Sequence, residues 1–72
     1  MEINERDKYI MLYEKYSNFL SQSQKQCFHL SFIEDLSLSE ISEIVATTRQ
    51  AVKDSVDKAK LKLIKIDGKM SQ

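Results

Sequence analysis

Apolar side chains recur every three or four residues through most of this chain, which is the spacing of one face of an α-helix. In the stretch 36–56 this pattern predicts two short helices separated by a three-residue break at 46–48. The inward face of the first helix is predicted to consist of Leu38, Ile41, Ile44 and Val45. The inward face of the second is predicted to consist of Ala51, Val52, Val56 and Ala59.

Polar residues at the start of both helices support this interpretation. Ser37 and Glu40 have the spacing of a capping box, in which a hydroxyl and a carboxylate each accept from an early backbone N–H. Thr48 can cap the second helix, which would then begin at Arg49. Two helices joined by a tight turn form a helix-turn-helix, whose second helix lies in the DNA major groove in DNA-binding proteins.

Two further helices are predicted before this pair. The first spans residues 3–19, and the second runs from residue 22 to about residue 33 after a Ser21–Gln24 capping box. The apolar stripe of the first consists of Tyr9, Leu12, Tyr13, Tyr16, Phe19 and Leu20. The inward face of the second consists of Cys27, Phe28, Ser31 and Phe32. The predicted fold is therefore an all-α, four-helix domain that contains a helix-turn-helix.

The last helix is predicted to be long, running from Arg49 to about Ile66. Gly68 is expected to mark its end, with residues 69–72 frayed. Its heptad-like stripe consists of Val52, Val56, Ala59, Leu63 and Ile66. The other faces carry lysines, and Leu61 and Ile64 widen the apolar surface. The tail of this helix is therefore predicted either to fold back on the first helix or to contact a second subunit.

Length and charge place limits on this interpretation. The 72 residues are enough for one domain, here taken as residues 1–72, and the single cysteine excludes an internal disulfide. No apolar run approaches the roughly 20 residues that span a bilayer. The net charge is zero, but residues 1–45 carry four basic and eight acidic side chains whereas residues 46–72 carry seven and three. The basic half therefore includes the second helix of the predicted helix-turn-helix.

No arrangement of residues predicts catalysis. His29 has no other ligand at metal-binding spacing, and Cys27 lies on an apolar helix face without a base that can be placed beside it. Glu34 and Asp35 are adjacent in sequence and therefore diverge on a helix. A glycine-rich phosphate loop is also absent from the sequence. We therefore expect a protein that is not an enzyme and that has no metal and no cofactor.

The polar residues after the turn are the candidate nucleic-acid contacts. Arg49 can donate twice to guanine, and Gln50 can pair with adenine. Thr48 and Lys53 suit phosphate contacts, and Lys58 would support binding by its charge. The alternative is that these residues are the ordinary solvated start of a helix.

Two segments of the chain resemble a known family. FIEDLSLSEISE at 32–43, with Gln24 and Lys25 before it, is followed at the right distance by TRQAVKD at 48–54. This combination resembles the YlxM-type proteins, small cytoplasmic proteins that are similar to the promoter-reading region 4 of bacterial sigma factors. The resemblance implies double-stranded DNA as the partner. Because genes of that family tend to lie beside those for the signal recognition particle GTPases, it also implies a role in protein targeting.

The same resemblance leaves other functions open. The chain could be a protein-interaction adaptor of the targeting pathway that does not bind DNA, and Asp54 and Asp57 on the second helix favour this reading. It could also bind RNA, or form a homodimer through the first and last helices. The tight turn of the family usually has glycine where this chain has Ala46, so the turn is expected to be strained or differently shaped.

Overall fold

The computed structural model describes residues 4–70, and within this range the chain forms four helices and no strand. Helix α1 spans Glu5–Tyr16 and is followed by a 3₁₀ turn at Ser17–Phe19; α2 spans Gln22–Phe28 and continues as a π-helical segment at His29–Ile33; α3 spans Leu38–Ile44; and α4 spans Arg49–Met70. The predicted all-α fold with a long last helix is confirmed. None of the helices described is both long and apolar enough to cross a bilayer.

Side-chain caps fix where the first two helices begin. The Asp7 backbone N–H donates to the side-chain oxygen of Asn4 at 2.9 Å, so α1 begins at Glu5. The predicted start at residue 3 lies outside the described residues. The capping box of α2 is confirmed, because the Gln24 N–H donates to the Ser21 hydroxyl and the Ser21 N–H donates to the Gln24 side chain.

The widened turn at the end of α2 ties this helix to the start of α1. The Glu34 N–H donates to the His29 carbonyl, and the Leu36 N–H donates to the Leu30 carbonyl. The Phe32 carbonyl lies in the last turn, where helix carbonyls have no partner within the helix. Arg6 donates to that carbonyl at 2.9 Å and lies 3.5 Å from the Asp35 carboxylate. Asp35 itself has φ of 59°, a left-handed conformation that aspartate tolerates better than most residues. A contact across 26 residues of sequence therefore stabilises the end of α2.

The core consists of two clusters that meet at Phe32. The first contains Tyr9, Leu12, Leu20, Phe28, Ala59 and Leu63. The second contains Cys27, Ile41, Val52 and Val56. Phe32 packs against both clusters, and its ring stacks on that of Phe28 with 4.3 Å between the centroids. Because the Phe28 ring also stacks on Tyr13 at 4.8 Å, aromatic contacts link α1 to α2 through the centre of the domain.

The tail of the long α4 packs against α1. This is the first of the two alternatives that the sequence predicted for it. Lys60 lies over the Tyr9 ring, with its ammonium nitrogen 5.2 Å from the centroid. About two turns further along each helix, the Tyr16 hydroxyl donates to the Asp67 carboxylate at 3.2 Å. Since residue 9 lies beside residue 60 and residue 16 beside residue 67, the two helices run parallel.

Several predicted positions are wrong. Phe19 was expected to face inward but is 48% exposed, because it lies in the 3₁₀ turn after α1. Leu38 and Ile44 are also exposed, since α3 meets its neighbours mainly through the fully buried Ile41. Gly68 does not end the last helix: its φ is not positive, and α4 continues through it to Met70.

Candidate nucleic-acid interface

Helix α3 begins and ends with local hydrogen bonds that define the helix-turn-helix. The predicted capping box at its start is confirmed, and the Ser37 N–H donates to the Glu40 carboxylate at 3.0 Å. This hydrogen bond lowers the pKa of the Glu40 carboxyl. At the other end, the Thr47 N–H donates to the Ser42 carbonyl at 3.0 Å around Ala46, whose φ is 55°. This is the Schellman geometry that usually places glycine in the left-handed position.

Thr48 caps the second helix as predicted. Its hydroxyl oxygen accepts from the Ala51 N–H at 3.1 Å, and its carbonyl accepts from the Val52 N–H at the same distance. A hydroxyl that accepts in this way can still donate its own proton. Thr48 therefore holds the start of α4 in place, and its hydroxyl proton is still available to donate.

Burial on the other side of the two helices fixes their relative position. Ile41 of α3 and Val52 of α4 are both fully buried, and Val56 and Cys27 pack beside them. Burial raises the pKa of the Cys27 thiol, an effect that a hydrogen bond with Ser55 partly offsets. The thiol therefore stays protonated near neutral pH and behaves as a small apolar group.

The first turns of α3 and α4 enclose an open surface groove. It is lined by Leu38, Ser39, Thr48, Arg49, Gln50 and Lys53, all of them exposed. The structure thus brings together four of the five residues that the sequence singled out. Ser39 and Leu38 were not predicted to belong to this surface. The position of Ser39 directly after the capped start of α3 was the signal available for it, since the start of the first helix lies next to the start of the second in a helix-turn-helix.

Two of the four predicted contacts are already held by carboxylates. The Gln50 amide donates to Asp54 at 3.1 Å, and the Lys53 ammonium donates to Asp57 at 2.9 Å. The hydrogen bond and the charge of Asp57 together raise the pKa of Lys53. Arg49 differs from both, because its side chain makes no hydrogen bond and no ion pair with any residue between 4 and 70.

Lys58 lies apart from the other predicted residues. Nine residues separate it from Arg49, which is two and a half turns of a helix with about 3.6 residues per turn. It therefore points away from Arg49, and it lines a different surface together with Leu61 and Lys65. Any support that Lys58 gives to the groove is through its charge at a distance rather than through contact.

Comparison with known families identifies the class of protein to which this arrangement belongs. Residues 3–71 match the model of a family described as "Putative helix-turn-helix protein, YlxM / p13 like". The chain belongs to this family, UPF0122. The resemblance inferred from the sequence is thereby confirmed over almost the whole chain, and the family description agrees with the capped helix pair of α3 and α4.

Relatives with this family name occur in several bacteria. The UPF0122 protein of Clostridium novyi is 35% identical over 69 residues, which are 96% of this chain and 60% of the relative. That of Ureaplasma urealyticum serovar 10 is 34% identical over 64 residues, which are 89% of this chain and 65% of the relative. This member of the UPF0122 family thus spans less than two thirds of the length of these curated relatives. No solved structure matches the chain.

Proposed function

We propose that this chain is a cytoplasmic DNA-binding regulatory protein that acts by binding duplex DNA and not by catalysis. The observation that carries the proposal is the start of α4, where Arg49 is exposed and makes no contact with a carboxylate of residues 4–70. The family description as a helix-turn-helix protein supports it. An action in the signal recognition particle pathway is part of the proposal, and its support is the family resemblance alone.

Each residue of the groove has a role in this proposal that follows from its chemistry. Arg49 donates in bidentate fashion to the edge of a guanine, and Gln50 pairs with an adenine. Lys53, Ser39 and the free proton of Thr48 bind phosphate oxygens on either side of the groove, which fixes the protein on the duplex. Positive potential at the start of α4 adds to these contacts, because the N-terminus of a helix attracts anions.

The ion pair of Lys53 and the hydrogen bond of Gln50 oppose DNA binding without preventing it. All four side chains are substantially exposed, and the Lys53 and Asp57 side chains are 56% and 47% accessible to solvent. Exposed pairs one helical turn apart stabilise a helix only weakly and are screened by salt. A phosphate can therefore replace Asp57 as the partner of Lys53, although the nearby carboxylates reduce the gain.

A second function has a specific observation in its favour. Asp54 and Asp57 lie one helical turn after Gln50 and Lys53 and accept hydrogen bonds from these two predicted DNA contacts. Carboxylates in these positions suit contact with a protein better than contact with phosphates. The alternative is therefore an adaptor of the targeting pathway that keeps the helix-turn-helix fold but does not bind DNA. Partners that remain bound in a pull-down after nuclease treatment would favour the adaptor.

Titration of mixed genomic duplex fragments at several salt concentrations tests the DNA proposal. The logarithm of the binding constant should fall linearly with the logarithm of salt concentration, by about 0.9 for each phosphate neutralised. Arg49→Ala should remove roughly 1–3 kcal/mol of discrimination between bases. Lys25→Ala, which removes a charge from α2 instead, is the matched control and should change the affinity little. Absence of binding at low salt would refute the proposal, and stronger competition by RNA than by duplex DNA would redirect it to RNA.

The homodimer predicted through the first and last helices also stays a prediction. Because α1 and α4 pack their apolar stripes against each other within one chain, only their outer faces remain for a second copy. Those faces carry several lysines, which would repel one another across a symmetric contact. Light scattering at micromolar protein concentration, at low and at high salt, measures the mass directly.

A further inference from the structure

Within residues 4–70, the pair formed by α1 and α4 is covered on one side only. On the side of α2, Tyr9 and Tyr13 of α1 contact the aromatic rings of Phe28 and Phe32. The opposite side exposes three large apolar side chains, with Met11 47%, Ile64 40% and Leu61 69% accessible. We call this side the basic face. It consists of Lys8, Met11 and Lys15 of α1 and Lys58, Leu61, Lys62, Ile64 and Lys65 of α4.

The two helices contribute to one continuous surface. A groove between them is lined by Lys8, Met11 and Lys15 on one side and by Asp67 on the other. Ile64 lies three residues before Asp67 and is therefore its neighbour on the surface of α4. Ile64 also belongs to the shallow depression that contains Leu61, so the groove and this depression adjoin.

The charge of the basic face is almost entirely of one sign. None of its five lysines forms an ion pair with a carboxylate in the described part of the chain, whereas Lys53 is paired with Asp57. Asp67, on the α4 side of the groove, accepts from the Tyr16 hydroxyl. The face is therefore apolar along its centre, and the ammonium groups along both edges form no ion pair with residues 4–70.

We propose that the basic face binds an amphipathic helix of a partner protein, one with an apolar stripe flanked by glutamate or aspartate side chains. The apolar stripe would pack on Met11, Leu61 and Ile64, and the flanking carboxylates would pair with the lysines at the edges. Two parallel helices with an apolar groove between them are the surface onto which a third helix packs in helical domains. Binding of a helix in a groove of this kind is a common mode of peptide recognition.

Other occupants fit these observations less well. Phosphate groups of a nucleic acid would use the lysines but would leave the exposed Leu61 and its apolar neighbours without a partner. A second copy that presents the same face would bring two sets of lysines together. An anionic membrane would attract the lysines, but a flat surface would not fill the groove beside Met11.

Fluorescence anisotropy with a labelled synthetic helix tests the proposal on the full chain. The probe is a designed amphipathic peptide with leucines on one face and glutamates on both flanks, and the control peptide has lysines in place of the glutamates. The glutamate probe should bind, more weakly as salt increases, and the lysine peptide should not. Leu61→Gln and Lys62→Glu should each weaken binding of the glutamate probe by about tenfold or more. The first removes an apolar contact with the leucines, and the second replaces an attraction to the glutamates with a repulsion.

Matched variants and competitors assign the binding to this face. Lys25→Glu makes the same charge change as Lys62→Glu but on α2, and should leave probe affinity nearly unchanged. Arg49→Ala should also leave it unchanged, so failure of the DNA proposal would not affect this result. The proposal is overturned if the glutamate probe does not bind, or if Leu61→Gln has no effect. The proposal is also overturned if phosphatidylserine vesicles or duplex DNA displace the probe, because the face would then bind a membrane or a nucleic acid. It is overturned as well if the protein forms a dimer, seen as a doubled mass, that blocks binding of the probe.

Discussion

The ammonium group of Lys53 donates to the carboxylate of Asp57 at 2.9 Å, one turn further along α4, the helix whose first turns carry the proposed DNA contacts. Asp54 holds Gln50 in the same way at 3.1 Å. Gln50 and Lys53 are thus each bound by a carboxylate of the same helix, which competes with DNA for the side chain. Arg49 and Thr48 have no such competitor among residues 4–70. The strength of nucleic-acid binding should therefore depend on these two carboxylates as much as on the basic residues themselves.

Removing the carboxylate charge at position 57 should strengthen DNA binding. Asp57→Asn frees the Lys53 ammonium to contact a phosphate and removes a repelling charge from the same helix turn. The slope of log binding constant against log salt should become steeper by up to about 0.9, which corresponds to one additional phosphate contact. Anisotropy titrations of a short duplex at several salt concentrations measure both the affinity and the slope.

The control for this prediction is Glu14→Gln, which makes the same charge change on an exposed carboxylate of α1. An equal gain in both variants would show that net charge alone controls the affinity. In that case the local competition between Asp57 and DNA would have no support.

Much of the fold could be predicted because its signals are local. The Ser21–Gln24 and Ser37–Glu40 capping boxes join residues only three apart, and each places a helix start correctly. The Lys53–Asp57 pair is equally local, since both residues lie one turn apart on a predicted helix. The sequence therefore contained the signal for this competition, although the two aspartates were interpreted only as evidence for an adaptor.

The features that were mispredicted depend on distant neighbours. Leu38 and Ile44 have the spacing of an inward face, but whether they are buried depends on how far the other helices extend over the seven residues of α3. The π-helical end of α2 is tied by Arg6, which is 26 residues away from the carbonyl it binds. Periodicity within one helix contains no information about either contact.

Ala46→Gly should stabilise the domain. Ala46 has φ of 55°, and a residue with a Cβ atom loses about 1–2 kcal/mol in the left-handed conformation. Glycine removes this strain but gains conformational entropy in the unfolded chain, so we expect a net increase of about 0.5–1 kcal/mol in the free energy of unfolding. Chemical denaturation followed by circular dichroism measures this difference.

The matched control for that variant is Ala51→Gly, five residues later in the helical part of α4. There the same substitution should destabilise the domain by about 1 kcal/mol, because the backbone is helical and glycine gains only unfolded-state entropy. We therefore expect the free energy of unfolding to increase in Ala46→Gly and to decrease in Ala51→Gly. A loss of stability in Ala46→Gly would mean that the turn is not left-handed in solution.

Gly68→Ala should also stabilise the domain, because α4 continues through this position instead of ending there. An added Cβ atom would meet no other atom within 4 Å, and the backbone has no positive φ that would penalise it. We expect a gain of up to about 1 kcal/mol from helix propensity, measured by denaturation as above. No change in stability would indicate that the last turn of α4 is frayed in solution.

The stability of the domain should fall as the pH becomes alkaline. Burial raises the pKa of the Cys27 thiol and of the Tyr13 phenol, and burial together with the hydrogen bond to Asp67 raises the pKa of Tyr16. As the pH rises through the ordinary range of free thiols and phenols, from about 8.5 to about 10, the unfolded chain releases these protons first. The unfolded state then binds fewer protons than the folded state, so the free energy of unfolding decreases with pH.

Denaturation curves between neutral pH and the alkaline range test this prediction, and two variants separate the contributions. Cys27→Ala should remove the earliest part of the decline, because the thiol titrates at lower pH than the phenols. Tyr16→Phe should lower stability at neutral pH by removing the bond to Asp67, and should flatten the later part of the decline. If stability were constant over this range in the unmodified chain, the three groups would have to ionise equally readily in the folded and unfolded states. The buried position of Cys27 and the contact of Tyr16 with α4 would then not exist in solution.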